Sequence, residues 1–116
     1  MPRPIVGVVL AAGASTRMAA SKLTLEYQGT TVLNATIDAV QASMLDRVIV
    51  VTGCDAEMVE ASIKAVSVTV VTNPDYRRGN MSSLLTATVA DPDAGAYLLV
   101  AGDLPTIRTP VIDAMA

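Results

Sequence analysis

An α/β fold, with an open and mainly parallel sheet and helices on both faces, is predicted by three features of this sequence. Four apolar runs rich in β-branched residues are continuous rather than alternating, as strands buried on both faces require. Segments of helical period separate them. Turn-forming residues close each run. The resulting order (strand, helix, strand, helix, strand, helix, strand) implies parallel strands joined by right-handed crossovers. At 116 residues the chain is expected to form a single domain, 1–116, with a real core.

The first strand is Ile5-Val6-Gly7-Val8-Val9-Leu10, running into a glycine turn. Leu33, Ile37, Val40 and Met44 then recur at helical spacing, with Thr31 placed to cap that helix. Arg47-Val48-Ile49-Val50-Val51 is the second strand and ends at Thr52-Gly53. Asp55 is the expected cap of a second helix whose inner face carries Val59 and Ile63. Val66 to Val71 reads as the third strand, ending at Thr72-Asn73-Pro74. Ser82 or Ser83 is expected to start a third helix through Leu84, Leu85 and Val89. Tyr97-Leu98-Leu99-Val100 is the fourth strand, ending at Gly102-Asp103. Thr109-Pro110 has the form of a helix start, but under two turns follow it. A fourth strand without a completed helix leaves part of one sheet face open, so the expectation is a domain whose C-terminal part is missing. The open face is also the expected route to any self-association.

Composition removes several classes of function. The chain has no histidine, tryptophan or phenylalanine, one cysteine and three tyrosines. Without histidine there is no Ser-His-Asp triad, no imidazole general base and no histidine-ligated metal. Cys54 alone allows no internal disulfide and no multi-thiolate zinc site. Few aromatics and a net charge of −3 argue against nucleic acid as a partner. The longest apolar stretch, Ile5 to Ala12, is far shorter than the roughly 20 residues that span a bilayer. Met1-Pro2-Arg3-Pro4 makes a poor export signal, so no membrane role is expected and the cytoplasm is the expected compartment.

Three segments have the residue types for chemistry. Leu10-Ala11-Ala12-Gly13-Ala14-Ser15-Thr16-Arg17-Met18, with Lys22 beyond, follows the first strand directly. Small side chains let backbone N–H groups approach an anion, Arg17 can fork onto phosphate oxygens, and Lys22 adds a mobile charge. Spacing alone describes an ordinary loop with solvated basic residues equally well, and it matches neither the Walker pattern nor the dinucleotide fingerprint. Asp103 follows a buried strand at the edge where open parallel sheets collect ligands. A carboxylate there can hold Mg²⁺ shared with phosphate oxygens, or can simply cap a helix. In Asn73-Pro74 through Ser82-Ser83-Leu84, the serines can bond a base or ribose, or cap the next helix. Arg77-Arg78 reads as a solvated pair, and Cys54 lacks any histidine to activate it.

Taken in this order, the three segments resemble the MobA-like NTP transferases, specifically the molybdenum cofactor cytidylyltransferase branch. The signature Leu-Ala-Ala-Gly-x-Ser-x-Arg-Met-Gly, followed by a lysine, is matched at Leu10, Ala11, Ala12, Gly13, Ser15, Arg17, Met18 and Lys22. It departs at Ala19, where the family usually has glycine. Leu23-Thr24-Leu25, Gly29 and Val32-Leu33 also look like the family. Asn73-Pro74 with Gly79 and Ser82-Ser83-Leu84 resembles its base-side segment, and Gly102-Asp103-Leu104-Pro105 its metal-binding Gly-Asp-x-Pro.

The resemblance implies a Rossmann-like sheet of the nucleotide-diphospho-sugar transferase type, and Mg²⁺-dependent transfer of a nucleoside monophosphate from an NTP to a phosphate-bearing acceptor with release of pyrophosphate. It assigns Leu10, Ala11, Ala12, Gly13, Ser15, Asn73, Ser82 and Ser83 to the nucleotide, Arg17 and Lys22 to the phosphates, and Asp103 to the metal. Ala12, where guanylyl enzymes tend to carry a second glycine, together with Ser82-Ser83-Leu84 resembles the cytidylyl pattern, which implies CTP as donor and molybdopterin as acceptor. A sugar- or polyol-phosphate nucleotidyltransferase is the competing enzyme reading. A non-catalytic nucleotide-binding or partner-binding fragment is the reading from a different class.

Overall fold

The computed structural model describes residues 4–11, 22–43, 45–65 and 67–102. Expectations placed on residues 12–21 and 103–116, including the helix after Thr109-Pro110, lie outside the described residues. The described chain forms β1 (Ile5–Ala11), a small hairpin of β2 (Glu26–Tyr27) and β3 (Thr30–Thr31), α1 (Val32–Gln41), β4 (Arg47–Thr52), α2 (Ala56–Ser62), β5 (Thr69–Thr72), a 3₁₀ turn (Tyr76–Arg78), α3 (Asn80–Ala90) and β6 (Ala96–Ala101). The main sheet has the order β5-β4-β1-β6 and every pairing in it is parallel. Among the described residues no helix is long and apolar enough to cross a membrane.

That order explains where the apolar residues go. The chain moves outward from β1 through β4 to β5, then crosses back to place β6 on the other side of β1. Crossovers of one hand therefore put α1 and α2 on one face and α3 on the opposite face. Two separate cores result. Val9, Ala11, Val48, Val50 and Val100 meet Leu33, Ile37 and Val40 of α1 and Val59 of α2. Val6, Val8, Ile49 and Val51 meet Ala87 of α3. The register agrees, because Val9 lies opposite both Val50 and Val100, on one side of the pleat. Burying each valine contributes about 1.5–3 kcal/mol, and both faces of β1 and β4 are occupied, which is why these runs are continuously apolar.

Local signals account for several boundaries. Thr31 caps α1, its hydroxyl accepting the Asn34 N–H at 3.2 Å. The helix stops at Gln41, one turn short of the expected Met44, with Ala42 as its C-cap. The β2–β3 hairpin turns through Gln28 (φ 47°) and Gly29 (φ 85°), the paired positive φ of a tight hairpin turn. Periodicity had no means of showing strands of two residues each.

Three expectations are corrected. The third strand begins at Thr69: it pairs over Thr69–Thr72 with Ile49–Thr52 of β4, and Ser67 and Val68 before it form a bend, while Val66 lies outside the described residues. Asp55 precedes α2 but does not cap it through its side chain: its backbone is left-handed (φ 51°, ψ 42°), and no side-chain capping bond forms. The third helix starts at Asn80 rather than at Ser82 or Ser83, with Gly79 at the N-cap position and φ 95°. Ser83 and Ala87 are buried against the sheet, while Met81, Leu85 and Val89 are 66%, 59% and 82% exposed. At 100° per residue those three lie opposite Ser83 and Ala87. Small residues at the contact allow α3 to sit close to the sheet. Leu99 of β6 is 41% exposed, on the α3 side of the sheet and beyond its cover.

Candidate functional site

All four main strands run the same way, so their carboxyl ends share one edge. The chain reverses its direction of winding between β1 and β6, and ligands of open α/β sheets bind at the carboxyl edge of such a switch point. Leu10 and Ala11 end β1 at this position, next to Ala101 and Gly102 at the end of β6.

The two ends are fastened together. Gly102 donates its N–H to the Leu10 carbonyl at 3.0 Å, one residue beyond the end of β6. Its own carbonyl accepts the Thr36 hydroxyl of α1 at 3.0 Å, across 66 residues of sequence. A Cβ at Gly102 would lie 2.9 Å from the Leu10 carbonyl oxygen, 3.2 Å from Leu33 Cδ1 and 3.4 Å from Leu23 Cδ2. Only glycine permits this approach. The last of these neighbours brings in the third piece, because Leu23 is buried in the larger core while Lys22 before it is exposed. The end of β1, the return of the chain at Lys22-Leu23 and the residue before Asp103 therefore meet at one place. Ala12, Gly13, Ser15, Arg17 and Asp103 themselves lie outside the described residues.

Asn73, Ser82 and Ser83 sit at the same edge, at the end of β5. The Asn73 N–H extends the β4–β5 ladder by donating to the Thr52 carbonyl at 2.7 Å. Its side-chain amide donates to Ser82 Oγ at 2.9 Å and to Ser83 Oγ at 3.1 Å, and its Oδ1 accepts the Asp75 N–H at 2.9 Å. Ser82 Oγ lies 2.7 Å from the Gly79 carbonyl and 3.0 Å from that of Asp75, either of which accepts its proton. Three residues of one sequence segment thus form one network. With β5 two places from β1, the network is about 10 Å across the sheet from the end of β1.

Two supporting groups had little or no local signal. Glu60 of α2 accepts the Thr52 and Thr72 hydroxyls on one carboxylate oxygen, at 2.9 and 2.8 Å, clasping the ends of β4 and β5. Thr36 occupies the apolar stripe of α1 between Leu33 and Ile37, and a hydroxyl on a buried stripe was the available clue. Cys54 is buried within the larger core, where it serves as a small apolar residue. Among the described residues no group of three or more acidic or thiol side chains could hold a metal, and no buried side-chain nitrogen or oxygen lacks a partner.

A parallel sheet with helical cover on both faces and a switch point between β1 and β6 defines a Rossmann-like α/β class of fold. Comparison with known proteins agrees: residues 7–116 match the MobA-like NTP transferase domain. The chain belongs to that family. It is 33% identical over 102 residues to the molybdenum cofactor cytidylyltransferase of Escherichia coli (strain K12), covering 86% of this chain and 52% of that protein. It is 31% identical over 112 residues to the bifunctional protein GlmU of Solibacter usitatus (strain Ellin6076), covering 94% of this chain and 24% of that one. The crystal structure of Rv0371c from Mycobacterium tuberculosis H37Rv superposes with a TM-score of 0.83 at 34% identity, covering 99% of this chain and 60% of that one. A complex of Rv0371c with manganese gives a TM-score of 0.77 at 32% identity, covering 99% and 59%. The chain thus spans about half the length of the Escherichia coli relative and less than two thirds of the structural one.

Proposed function

We propose that this chain carries the nucleotide-binding half of a nucleotidyltransferase that moves CMP from CTP to a phosphate-bearing acceptor, molybdopterin in first place, and releases pyrophosphate. The observation that carries the reading is the Gly102–Leu10 hydrogen bond, which joins the strand leading to Asp103 to the strand leading to the small-residue loop. The Asn73-Ser82-Ser83 network about 10 Å away along the same edge supports the base side of the reading, since a nucleoside triphosphate can bridge that span.

The chemistry needs no histidine. The acceptor phosphate is already ionised near neutral pH, so its oxygen attacks the α-phosphorus directly. A new P–O bond forms there, the bond from the α-phosphorus to the bridging oxygen breaks, and that oxygen leaves with pyrophosphate. The barrier lies in bringing two anions together. Arg17 and Lys22 neutralise charge on the phosphates, and the backbone of Leu10 to Gly13 orients the α-phosphate for in-line displacement. A divalent ion of the Mg²⁺ type takes one or two carboxylates plus phosphate oxygens, a demand that Asp103 after Gly102 fits, and when bound it supplies further charge neutralisation. A cytoplasmic location, where CTP and Mg²⁺ are available, is part of the proposal.

The test is pyrophosphate release from CTP and Mg²⁺ with molybdopterin as acceptor, set against sugar phosphates and polyol phosphates. The second set of acceptors separates this reading from the competing one, a sugar- or polyol-phosphate nucleotidyltransferase. Turnover with molybdopterin supports the reading, and turnover confined to another acceptor transfers the assignment to that acceptor. Mg²⁺-dependent CTP binding without turnover on any of them reduces the chain to a nucleotide-binding module. Size-exclusion runs at several concentrations test self-association through the exposed side of β6.

A further inference from the structure

We infer that Asn73 is a positioning residue: it sets the base-side loop by holding Ser82 and Ser83 and does not itself touch the nucleotide. The inference rests on the proposed nucleotide reading and refines the role of one residue within it.

The hydrogen-bonding capacity of Asn73 is nearly filled within the protein. A side-chain amide has two N–H donors and one carbonyl oxygen with two lone pairs. In Asn73 both donors are spent, on Ser82 and Ser83, and the oxygen already accepts the Asp75 N–H. One lone pair is left, on a residue that is only 2% exposed. Its backbone N–H is taken as well, by Thr52. A ligand has almost nothing to bond to at this residue.

The serines differ from it. Ser83 is buried at the sheet contact, but Ser82 is partly exposed. The Ser82 oxygen receives the Asn73 amide, while its proton goes to the carbonyl of Gly79 or Asp75. Its torsion is thereby set, and so is the lone pair it has left. The same bonds pin both ends of the loop that contains the 3₁₀ turn and the positive-φ Gly79. Removing the Asn73 amide frees the Ser82 hydroxyl and unfastens the loop from β5, while the end of β1 keeps its own bonds to Gly102.

The experiment measures binding of CTP and of tripolyphosphate, each with Mg²⁺, by calorimetry. Tripolyphosphate has the phosphate chain without a base. Four proteins are compared: the unmodified chain, Asn73→Ala, Ser82→Ala and the double variant. The expected results for Asn73→Ala are CTP binding weakened about tenfold, the size of one lost buried hydrogen bond, and tripolyphosphate binding unchanged. In the Ser82→Ala background the same substitution should have little further effect, because Asn73 acts through that hydroxyl. Unchanged CTP affinity in Asn73→Ala overturns the inference. So does an equal loss for both ligands, which marks general damage, and so does a full additional loss in the Ser82→Ala background, which marks direct contact. If the unmodified chain binds CTP no more tightly than tripolyphosphate, the base-side reading itself fails, whatever the variants do. Asn73→Asp, which keeps the shape and loses both donors, replaces Asn73→Ala in the same comparison should the alanine variant not fold.

Discussion

Replacing Thr36 with valine deletes one hydroxyl from the middle of α1 and leaves almost everything else unchanged. Valine fills nearly the same volume, and the two residues have similar helix propensities, so packing and backbone terms nearly cancel. The hydroxyl lies 3.0 Å from both the Val32 carbonyl and the Gly102 carbonyl, which share its one proton. The Val32 oxygen keeps the ordinary helical partner of its turn, but the Gly102 oxygen loses the side chain that reaches it in a buried position. A buried acceptor left unpaired costs about 1–3 kcal/mol, more than the net value of an average hydrogen bond. For a domain of this size that corresponds to a fall of about 4 °C or more in Tm for each kcal/mol. Urea unfolding of the unmodified chain, Thr36→Val and Thr36→Ser reads the difference directly. The serine variant retains the hydroxyl and loses only a methyl group, about 0.8 kcal/mol, so it should fall between the other two. A valine variant as stable as the unmodified chain, or more so, would refute the claim that Thr36 fastens the end of β6.

Three further outcomes follow from the same geometry. Gly102→Ala forces a Cβ to 2.9 Å from the Leu10 carbonyl oxygen and should destabilise the chain by about 1–3 kcal/mol in thermal unfolding. Leu85→Gln, on the outer face of α3, should change stability by no more than about 0.5 kcal/mol, whereas Ala87→Leu on the sheet side should cost about 1–3 kcal/mol; the reverse order would contradict the burial of α3 described above. Lys22→Ala removes an exposed ammonium, so its unfolding midpoint should stay put while calorimetry shows CTP with Mg²⁺ bound about tenfold more weakly.

Most of the fold was legible because its signals are local and repeated. Apolar runs marked the four main strands, and Thr31 marked a helix start that the structure realises with a hydroxyl cap. The errors occurred where tertiary contacts override local pattern. The third helix was expected to start at Ser82 or Ser83, but it starts at Asn80 behind Gly79, and Ser83 and Ala87 are its residues buried against the sheet. Asp55 looked like a cap by residue type, yet its left-handed backbone makes no side-chain capping bond. The three candidate segments, and their place on one sheet edge, were legible in the sequence, but the bonds that hold them were not. Nothing local in Gly102 announces that it is bonded to Leu10 and Thr36 at once, since those contacts span the whole sequence. Glu60 was invisible for the same reason, its partners Thr52 and Thr72 belonging to two different strands.

The central claim is that the carboxyl ends of β1 and β6 flank one metal–nucleotide site. Paramagnetic line broadening by Mn²⁺ in the presence of CTP, followed residue by residue in amide spectra of the whole chain, tests it most directly. Broadening centred on Leu10, Ala11, Lys22 and Gly102, and lost in Asp103→Asn, is the predicted result. Broadening centred instead on Arg47 and Ala96, where the strands begin at the opposite edge, would contradict the account.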